Sequence, residues 1–330
     1  MVTTCSKRLG PVSDAQFQRA LDRFDLGTFV KAEPTSGGLF GQNVFVSSSK
    51  GEFVLRGCPH YDWQFPKERF FARSLAERTS VPAPWPYLYE PSTDIFGWSY
   101  AFMPRLPGET ADVDRGAEDN LAIARAMGAN LAECQTLSWP HAGEYSLEID
   151  DIQPYPNGYE AWVMDDVRGQ LDRCGRLACV RPEETQWAES VVASAAGAWS
   201  EDWQPCFVQN DYGLNNVFVE RDGEGWRVSG LFDLMECRCG DGECDLVRLA
   251  GRYLGKQPPC GRELAVEFLR AYGERRPLRP GHHKRFRVHA LRNMLTFWEY
   301  GHSMAKWFPA DLSLRPWAEP AVESLPGLIG

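Results

Sequence analysis

The sequence lacks any stretch that approaches the roughly 18 consecutive apolar residues of a membrane-spanning helix. Its first residues, MVTTCSKRLGPVSD, also lack the apolar core of about 7–15 residues that defines a signal peptide. Internal repeats and low-complexity segments are absent as well. We therefore expect a soluble protein that is located in the cytoplasm.

Basic residues are fewer than acidic residues in this sequence. Lys and Arg number 35 against 45 Asp and Glu, which gives a formal net charge of −10. Nucleic acids and anionic membranes attract basic surfaces, so this balance argues against either as the main partner. We expect small molecules as partners and a monomer in solution, with a dimer as the alternative.

The ten cysteines show no spacing typical of a disulfide framework. Three of them, Cys237, Cys239 and Cys244, lie close together in ECRCGDGEC. A zinc site there would require a fourth ligand and would usually show C-x-x-C spacing. We expect reduced thiols, and a metal site at this cluster is the alternative.

The amino-terminal part of the chain is rich in strand signals. The pattern over 13–31 predicts an amphipathic helix that enters a strand, and the alternation on both sides of Lys50–Gly51 predicts a hairpin. A helix is predicted over about 66–78, with Pro66 suited to its first turn. A second extended pair ends in WSYAFMPRL.

From about residue 117 the chain becomes mostly helical, because apolar residues recur at three- and four-residue spacing. A short β island over 206–236 interrupts the helices. We therefore expect an α+β fold with two lobes. The predicted boundary lies near Arg105–Gly108, between a strand-rich lobe over 1–106 and a helical lobe over 107–330.

The β island carries the residues with the clearest chemistry. Asp211 and Asn216 have D-x-x-x-x-N spacing directly after the apolar strand CFV, and Asp233 follows a second strand in GLFDLME. Phosphoryl transfer needs one carboxylate that accepts the proton of the attacking hydroxyl. It also needs an amide and a second carboxylate that hold Mg²⁺ on the nucleotide phosphates. The spacing predicts Asp211 as the base and Asn216 with Asp233 as the metal ligands; isolated turn-capping residues are the alternative.

These motifs resemble the aminoglycoside phosphotransferase and choline kinase-like family, which consists of small-molecule kinases with the protein-kinase fold. The resemblance runs from about Thr35 to Arg252. Gln209-Asn210-Asp211 stands where the family has H-G-D, Phe232-Asp233-Leu234 matches its I-D-F/W element, and GDGECDL matches G-D-x-x-x-D-L. In the family the acids of that last motif look structural. NDYGLNNV is similar to the loop of hygromycin phosphotransferases.

The resemblance also implies a nucleotide site in the first lobe, below a five-stranded antiparallel sheet. GGLFGQNV is similar to the family's phosphate loop, VLR places an arginine on the third strand, and KERFFARSL carries the glutamate of the pairing helix. SYAFMPRLPGE resembles the hinge that meets the adenine. The implied nucleotide-binding residues are Gly38, Gln42, Asn43, Arg56, Glu68, Phe102 and Met103.

Two departures from the family pattern concern these assignments. Gln209 and Asn210 replace the usual His and Gly before the catalytic Asp, and a Gln amide could brace the loop by hydrogen bonds as the His is thought to do. Arg56 stands where Lys is more usual. Because the base and metal ligands are present, we expect activity, with an inactive kinase-fold protein as the alternative.

The acceptor is predicted from charge. Residues 141–204 contain 13 acids and four bases, and in the aminoglycoside enzymes an acidic site in the helical lobe holds polycationic drugs. A solvated acidic face is the competing interpretation. The candidate acceptor residues are Glu160, Asp165, Asp166, Trp298 and Glu299, and Trp298 could also belong to the core.

The sequence thus predicts Mg²⁺-dependent transfer of a phosphate from ATP or GTP to a hydroxyl of a small molecule. A cationic aminoglycoside is the predicted acceptor, which would confer antibiotic resistance by O-phosphorylation. Two alternatives stay open: a metabolic kinase for choline, homoserine or a sugar, and a catalytically silent binding protein.

Overall fold

A computed structural model describes residues 2–35, 40–177, 180–199, 203–223, 225–255 and 260–328. In these ranges the helices are α1 (Asp14–Arg23), α2 (Gln64–Arg78), α3 (Ala117–Cys134), α4 (Gly158–Leu177), α5 (Pro182–Ser194), α6 (Glu243–Leu254), α7 (Cys260–Gly273), α8 (His282–Ser303) and α9 (Leu314–Ser324), with a 3₁₀ helix at Leu325–Leu328. The strands are β1 (Val2–Thr4), β2 (Pro11–Ser13), β3 (Phe29–Pro34), β4 (Asn43–Ser48), β5 (Gly51–Gly57), β6 (Leu88–Glu90), β7 (Tyr100–Pro104), β8 (Glu109–Thr110), β9 (Gly143–Ser146), β10 (Asp151–Pro154), β11 (Cys206–Val208), β12 (Val217–Asp222), β13 (Gly225–Leu231) and β14 (Arg238–Gly240).

A five-stranded antiparallel sheet occupies the amino-terminal part, with strand order β3-β4-β5-β7-β6. Successive side chains of a strand point to opposite faces, and Val44, Val46 and Leu55 are fully buried. They form a core cluster with Phe17 of α1, whose first turn is fixed by a capping box at Ser13. The predicted five-stranded sheet and its hairpin are confirmed.

Helix α2 joins β5 to β6 and packs into a different, larger core cluster. Its Phe65 and Phe71 are fully buried there, and Glu68 between them is 3% exposed. The helix predicted over 66–78 is confirmed and begins at Gln64. The first core cluster therefore lies under the sheet, while α2 connects the sheet to the rest of the molecule.

The remainder of the described chain is mostly helical and shares the larger core. Helices α3 and α7 pack so closely at Gly128 that a Cβ there would lie 2.2 Å from the backbone oxygen of Phe268. No helix in the described ranges is long and apolar enough to cross a bilayer. The predicted boundary at Arg105–Gly108 falls between β7 and β8, and its role as a lobe boundary remains a prediction.

The predicted β island over 206–236 does not form one sheet. Strand β11 pairs with β14 in a sheet with β9 and β10, whereas β12 and β13 pair with each other and with β8. The segment 209–216 therefore passes from one sheet to the other. This is the segment that carries Asp211 and Asn216.

Candidate active site

Asp211 lies just after β11, and its carboxylate is held by two donors. Asn216 Nδ2 donates to Asp211 Oδ2 at 2.8 Å and to the Asp211 carbonyl oxygen at 3.0 Å. Arg248 of α6 donates to Asp211 Oδ1. The Asp211 side chain is nevertheless 43% exposed. The carboxylate is thus fixed in orientation and open to a bound molecule.

Asn216 and Asp233 lie at the ends of paired strands. Val217 of β12 is opposite Leu231 of β13, and the Phe232 N–H donates to the Asn216 carbonyl at 3.1 Å. Asp233 itself has a φ of 59° and is 42% exposed. The strand pairing therefore brings the backbones of the two predicted metal ligands together.

The donor set suits a hard divalent cation. The amide nitrogen of Asn216 donates to Asp211, so its amide oxygen is left for a ligand. Asp233 supplies carboxylate oxygens, and Mg²⁺ prefers oxygen ligands of these kinds. The residues therefore fit Mg²⁺, which stays a prediction.

Gln209 braces this region in the way the sequence suggested for the missing His. Its Nε2 donates to the carbonyl oxygens of Phe232 at 3.0 Å and of Asp233 at 3.3 Å. On the other side, the Asp245 carboxylate accepts the backbone N–H groups of Gln209 and Asn210 at 2.8 Å each. Asp245 thus has the structural role expected of the GDGECDL acids.

The amino-terminal part contributes a buried ion-pair cluster, here called the Arg56 cluster (Arg56, Gln64, Glu68 and Tyr87). Arg56 Nη2 contacts Glu68 Oε1 at 3.0 Å, and Tyr87 Oη donates to Glu68 Oε2 at 2.8 Å. Gln64 Nε2 donates to Glu68 Oε1 at 3.1 Å. Burial raises the pKa of Glu68, and the Arg56 guanidinium opposes that shift.

Arg56 also reaches across to the other part of the site. Its Nη2 lies 3.3 Å from Asp233 Oδ1, and its Nη1 donates to Asn43 Oδ1 at 3.3 Å. Burial lowers the pKa of Arg56, but the Glu68 and Asp233 carboxylates raise it above its ordinary value. One guanidinium therefore joins a strand of the sheet, helix α2 and the segment after β13.

The other predicted nucleotide residues lie along the same sheet. Gln42 is buried and donates through Nε2 to the Cys58 carbonyl at 2.9 Å. Phe102 and Met103 lie on β7, and β6 pairs with β7 only as far as Phe102. Gly38 lies outside the described residues.

Two arginines next to the segment 209–216 hold carboxylates from the acidic stretch. Arg292 Nε donates to Asp166 Oδ2 at 2.6 Å, and Arg238 Nη1 lies 3.5 Å from Glu144 Oε1. The arginine side chains are 8% and 7% exposed, whereas Asp166 is 26% and Glu144 42% exposed. Both carboxylates are thus more exposed than the arginines, although Glu144 Oε2 also lies 3.4 Å from Lys67 Nζ and Tyr155 Oη donates to Glu144 Oε1 at 3.0 Å. These two arginines and Arg248, which holds the Asp211 carboxylate, are called the arginine trio.

The remaining acceptor candidates do not gather at this place. Glu160 accepts the backbone N–H groups of Gly197 at 2.8 Å and Trp199 at 3.3 Å, so its carboxylate anchors the segment after α5. Asp165 is 74% exposed and lies 3.6 Å from Arg168 on its own helix.

Two further candidates, both on α8, have structural contacts. Trp298 is fully buried against Trp317, with ring centroids 5.7 Å apart, so it is a core residue and does not stack on a sugar in this structure. Glu299 pairs with Arg173 at 3.0 Å.

Sequence reasoning missed Glu144 and the arginine trio. Arg248 carried a weak signal, since it lies one helical turn after Asp245 in the motif helix. Glu144, Arg238 and Arg292 come from strands and a helix far apart in sequence, and no local pattern marks them.

A second buried network lies behind the site, around Asp241. Its carboxylate accepts from Trp199 Nε1 at 2.7 Å and from Arg279 Nη2 at 2.6 Å, and lies 3.1 Å from His289 Nε2. Burial lowers the pKa of His289, but the contact with Asp241 and the nearby Cys244 raise it to about 9 overall. This acid of the GDGECDL motif is therefore structural as well.

The three clustered cysteines are free and buried. Across the described ranges, no group of three or more His, Cys, Asp or Glu side chains is arranged to hold a metal ion. Nothing in the described residues therefore supports the alternative of a metal site at these thiols.

The model of the APH family, described as the phosphotransferase enzyme family, matches residues 31–284. Comparison with the curated proteins returned no significant match.

Three solved structures illustrate the structural similarity. A Ralstonia eutropha JMP134 protein classed provisionally as an aminoglycoside phosphotransferase has 14% identity and a TM-score of 0.67, covering 96% of this chain and 98% of that one. A thermostable mutant of aminoglycoside phosphotransferase APH(4)-Ia, in a ternary complex with ADP and hygromycin B, has 15% identity and a TM-score of 0.62, covering 94% and 98%. Macrolide 2'-phosphotransferase MphH from Brachybacterium faecium has 19% identity and a TM-score of 0.60, covering 94% and 98%. At these identities the similarity shows the fold alone, and the predicted bilobal kinase-like fold is confirmed.

Proposed function

The chain belongs to the phosphotransferase enzyme family, and from that premise we propose that it transfers the γ-phosphate of ATP or GTP to a hydroxyl of a small cationic molecule. The observation that carries the proposal is the fixed, accessible Asp211 carboxylate beside Asn216 and next to the strand end that bears Asp233. Phosphoryl transfer depends mainly on positioning and charge stabilisation, and this arrangement supplies both.

In the proposed reaction Asp211 accepts the proton of the acceptor hydroxyl. The oxygen of that hydroxyl forms a bond to the γ-phosphorus while the bond from the γ-phosphorus to the bridging oxygen breaks, and the nucleoside diphosphate leaves. Asn216 and Arg248 fix the two carboxylate oxygens, which orients Asp211 for this transfer. A positioned base of this kind contributes about 10²–10⁴-fold to turnover.

The nucleotide would lie between the amino-terminal sheet and the β12–β13 strands. Asn216 and Asp233 would hold Mg²⁺, which when bound neutralises the charge of the nucleotide phosphates. Arg56, held by Glu68, would contact a phosphate oxygen, and the backbone near Met103 would meet the base. The lobe boundary at Arg105–Gly108 would serve as the hinge.

The acceptor proposal depends on the solvent-facing carboxylates of Glu144 and Asp166. Each is next to a buried arginine that also contacts Asn210, beside the catalytic Asp211. A protonated amine of an aminosugar would contact the exposed oxygens of Asp166 and Glu144, and at Glu144 it would share the carboxylate with Lys67. The APH(4)-Ia complex gives a precedent for ADP and hygromycin B bound together on this fold.

The test is a coupled assay of ADP and GDP release with Mg²⁺, in which hygromycin B, other aminoglycosides, choline and homoserine are each offered as acceptor. We expect release that depends on an aminosugar. Highest turnover with choline or homoserine would instead identify a metabolic kinase. No release with any acceptor would identify a silent kinase-fold protein, and release that no alcohol stimulates would be hydrolysis by water; either result would overturn the proposal.

A further inference from the structure

Asn210 stands where the family's H-G-D motif has glycine. The backbone conformation at this position restricts which residues can replace that glycine. The φ of Asn210 is 63°, in the left-handed region that favours Gly and that Asn tolerates best among other residues. Its backbone N–H is anchored on Asp245. The loop thus keeps a glycine-like conformation while it gains a side chain directly before Asp211.

That side chain is an acceptor for two buried cations. Asn210 Oδ1 accepts from Arg292 Nη1 at 2.8 Å and also from Arg238 Nη2. Hydrogen bonds from charged donors are stronger than neutral ones, and burial of both arginines strengthens them further. A glycine at this position offers no atom for either contact.

The two arginines continue to the carboxylates proposed for the acceptor. Arg292 holds Asp166 on α4, and Arg238 lies next to Glu144 on β9. The ring of Trp162 adds a common surface, with its centroid 4.8 Å from the Arg238 guanidinium and 5.5 Å from that of Arg292. One amide oxygen therefore joins the catalytic loop to two elements that carry the exposed carboxylates.

We propose that Asn210 is a positioning residue, which through Arg292 and Arg238 sets the distance between the catalytic Asp211 and the carboxylates that hold the acceptor. This inference rests on the proposed function and deepens it. It also explains how the chain keeps an ordered catalytic loop without the usual His-Gly pair. Asn210 touches no reacting atom; it acts through the arginines and the backbone of its neighbour.

The test compares Asn210→Gly with Asn210→Asp. Gly fits the backbone and removes the accepting oxygen, whereas Asp keeps an accepting oxygen for both arginines. We expect Asn210→Gly to lower acceptor-dependent kcat about tenfold, the effect of losing a hydrogen bond to a charged group, while the KM for Mg–nucleotide stays unchanged. Asn210→Asp should retain most of the turnover. Both variants are assayed with whichever of hygromycin B, choline and homoserine gives the wild type its highest turnover.

A second measurement guards against a purely structural effect. Arg292→Gln should lower kcat by a similar factor. In the double variant with Asn210→Gly, kcat should fall by less than the product of the two single effects, because both substitutions remove the hydrogen bond between Arg292 and Asn210. If Asn210→Gly turns over like wild type, or if the two effects multiply, the role of Asn210 is overturned while the proposed function stands. A wild type without acceptor-dependent turnover overturns the proposed function together with this role.

Discussion

The Arg56 cluster and the arginine trio differ in how far apart their members lie in the chain. Arg56, Gln64, Glu68 and Tyr87 fall within one strand, the following helix and the approach to the next strand. The trio comes from β14, α6 and α8, and its carboxylates come from β9, α4 and the segment after β11, so the members lie between residues 144 and 292. The first group is set by local register, whereas the second exists only once the helical part has folded.

Charge is also distributed differently in the two regions. In the Arg56 cluster the cation and its main partner Glu68 are both buried, with side chains 10% and 4% exposed. In the trio Arg238 and Arg292 are buried and Arg248 is 17% exposed, while the carboxylates that they hold are more exposed than the arginines. A buried pair is suited to hold a fixed frame, and exposed carboxylates on fixed cations are suited to meet a variable ligand. The predictions below test this difference.

The largest expected effect concerns the base. Asp211→Asn should keep nucleotide binding and lower turnover by about 10²–10⁴-fold, because an amide cannot accept the hydroxyl proton. Steady-state kinetics with the best acceptor and nucleotide binding by calorimetry check the two parts. Asp222→Asn, in the exposed end of β12, is the control and should behave as wild type. Near-normal turnover of Asp211→Asn would show that another group is the base.

Breaking the buried frame should cost stability. Arg56→Met leaves the Glu68 carboxylate buried without its cation, so we expect the free energy of unfolding to fall by about 3–5 kcal/mol. Denaturant unfolding measures it. Arg227→Met, which removes a 53% exposed member of a surface pair on β13, should cost about 0–1 kcal/mol. Equal losses in the two variants would contradict the difference between the regions.

His289 gives the structure a pH dependence. Its pKa is raised to about 9 from 6.5, so its contribution to stability is fully present below pH 6.5 and is lost as the pH rises through 9. The Tm deficit of His289→Gln relative to wild type should therefore be larger at pH 6 than above pH 9. The exposed His283→Gln should show no such trend, and a deficit that does not change with pH would reject the charged pair with Asp241.

The smallest effect concerns the acceptor carboxylates. Asp166→Asn should raise the acceptor KM severalfold, since one partly exposed amine–carboxylate contact contributes about 0.2–1 kcal/mol, and should leave the nucleotide KM unchanged. Asp172→Asn, exposed on the same helix, is the control. The acceptor KM of the wild type should also rise between about 0.05 and 0.5 M salt, because exposed pairs are screened. A salt-insensitive acceptor KM would point to a neutral alcohol.

The sequence could predict the Arg56 cluster, whose members lie close together in the chain, but not the arginine trio, whose members lie far apart. Alternating apolar residues predicted the sheet, and register on β5 and α2 predicted Arg56 and Glu68, which the structure places in contact. The acidic stretch predicted negative charge near the acceptor, but composition could not tell Asp166 beside Arg292 from Asp165 in solvent. Successive residues along a helix point about 100° apart, so only the packing of α4 on α8 decides which of the two carboxylates lies beside Arg292.

For Gln209 and Asn210, the sequence could predict the contacts of one residue but not those of the other. The sequence suggested that Gln209 could brace the loop, and its amide does reach the carbonyl oxygens next to Asp233. The partners of Asn210 could not be foreseen, because Arg238 and Arg292 lie 28 and 82 residues away along the chain. Long-range pairs of this kind leave no spacing pattern in one sequence.

The central claim is that this chain makes a phosphate ester with Asp211 as the base. Phosphorus NMR of a reaction with Mg–ATP or Mg–GTP and the best acceptor tests it most directly, with wild type and Asp211→Asn compared at equal concentration. The account predicts a growing phosphomonoester signal with wild type, matched by nucleoside diphosphate, and almost none with Asp211→Asn. Inorganic phosphate as the sole product, or equal ester formation by the two proteins, would contradict it.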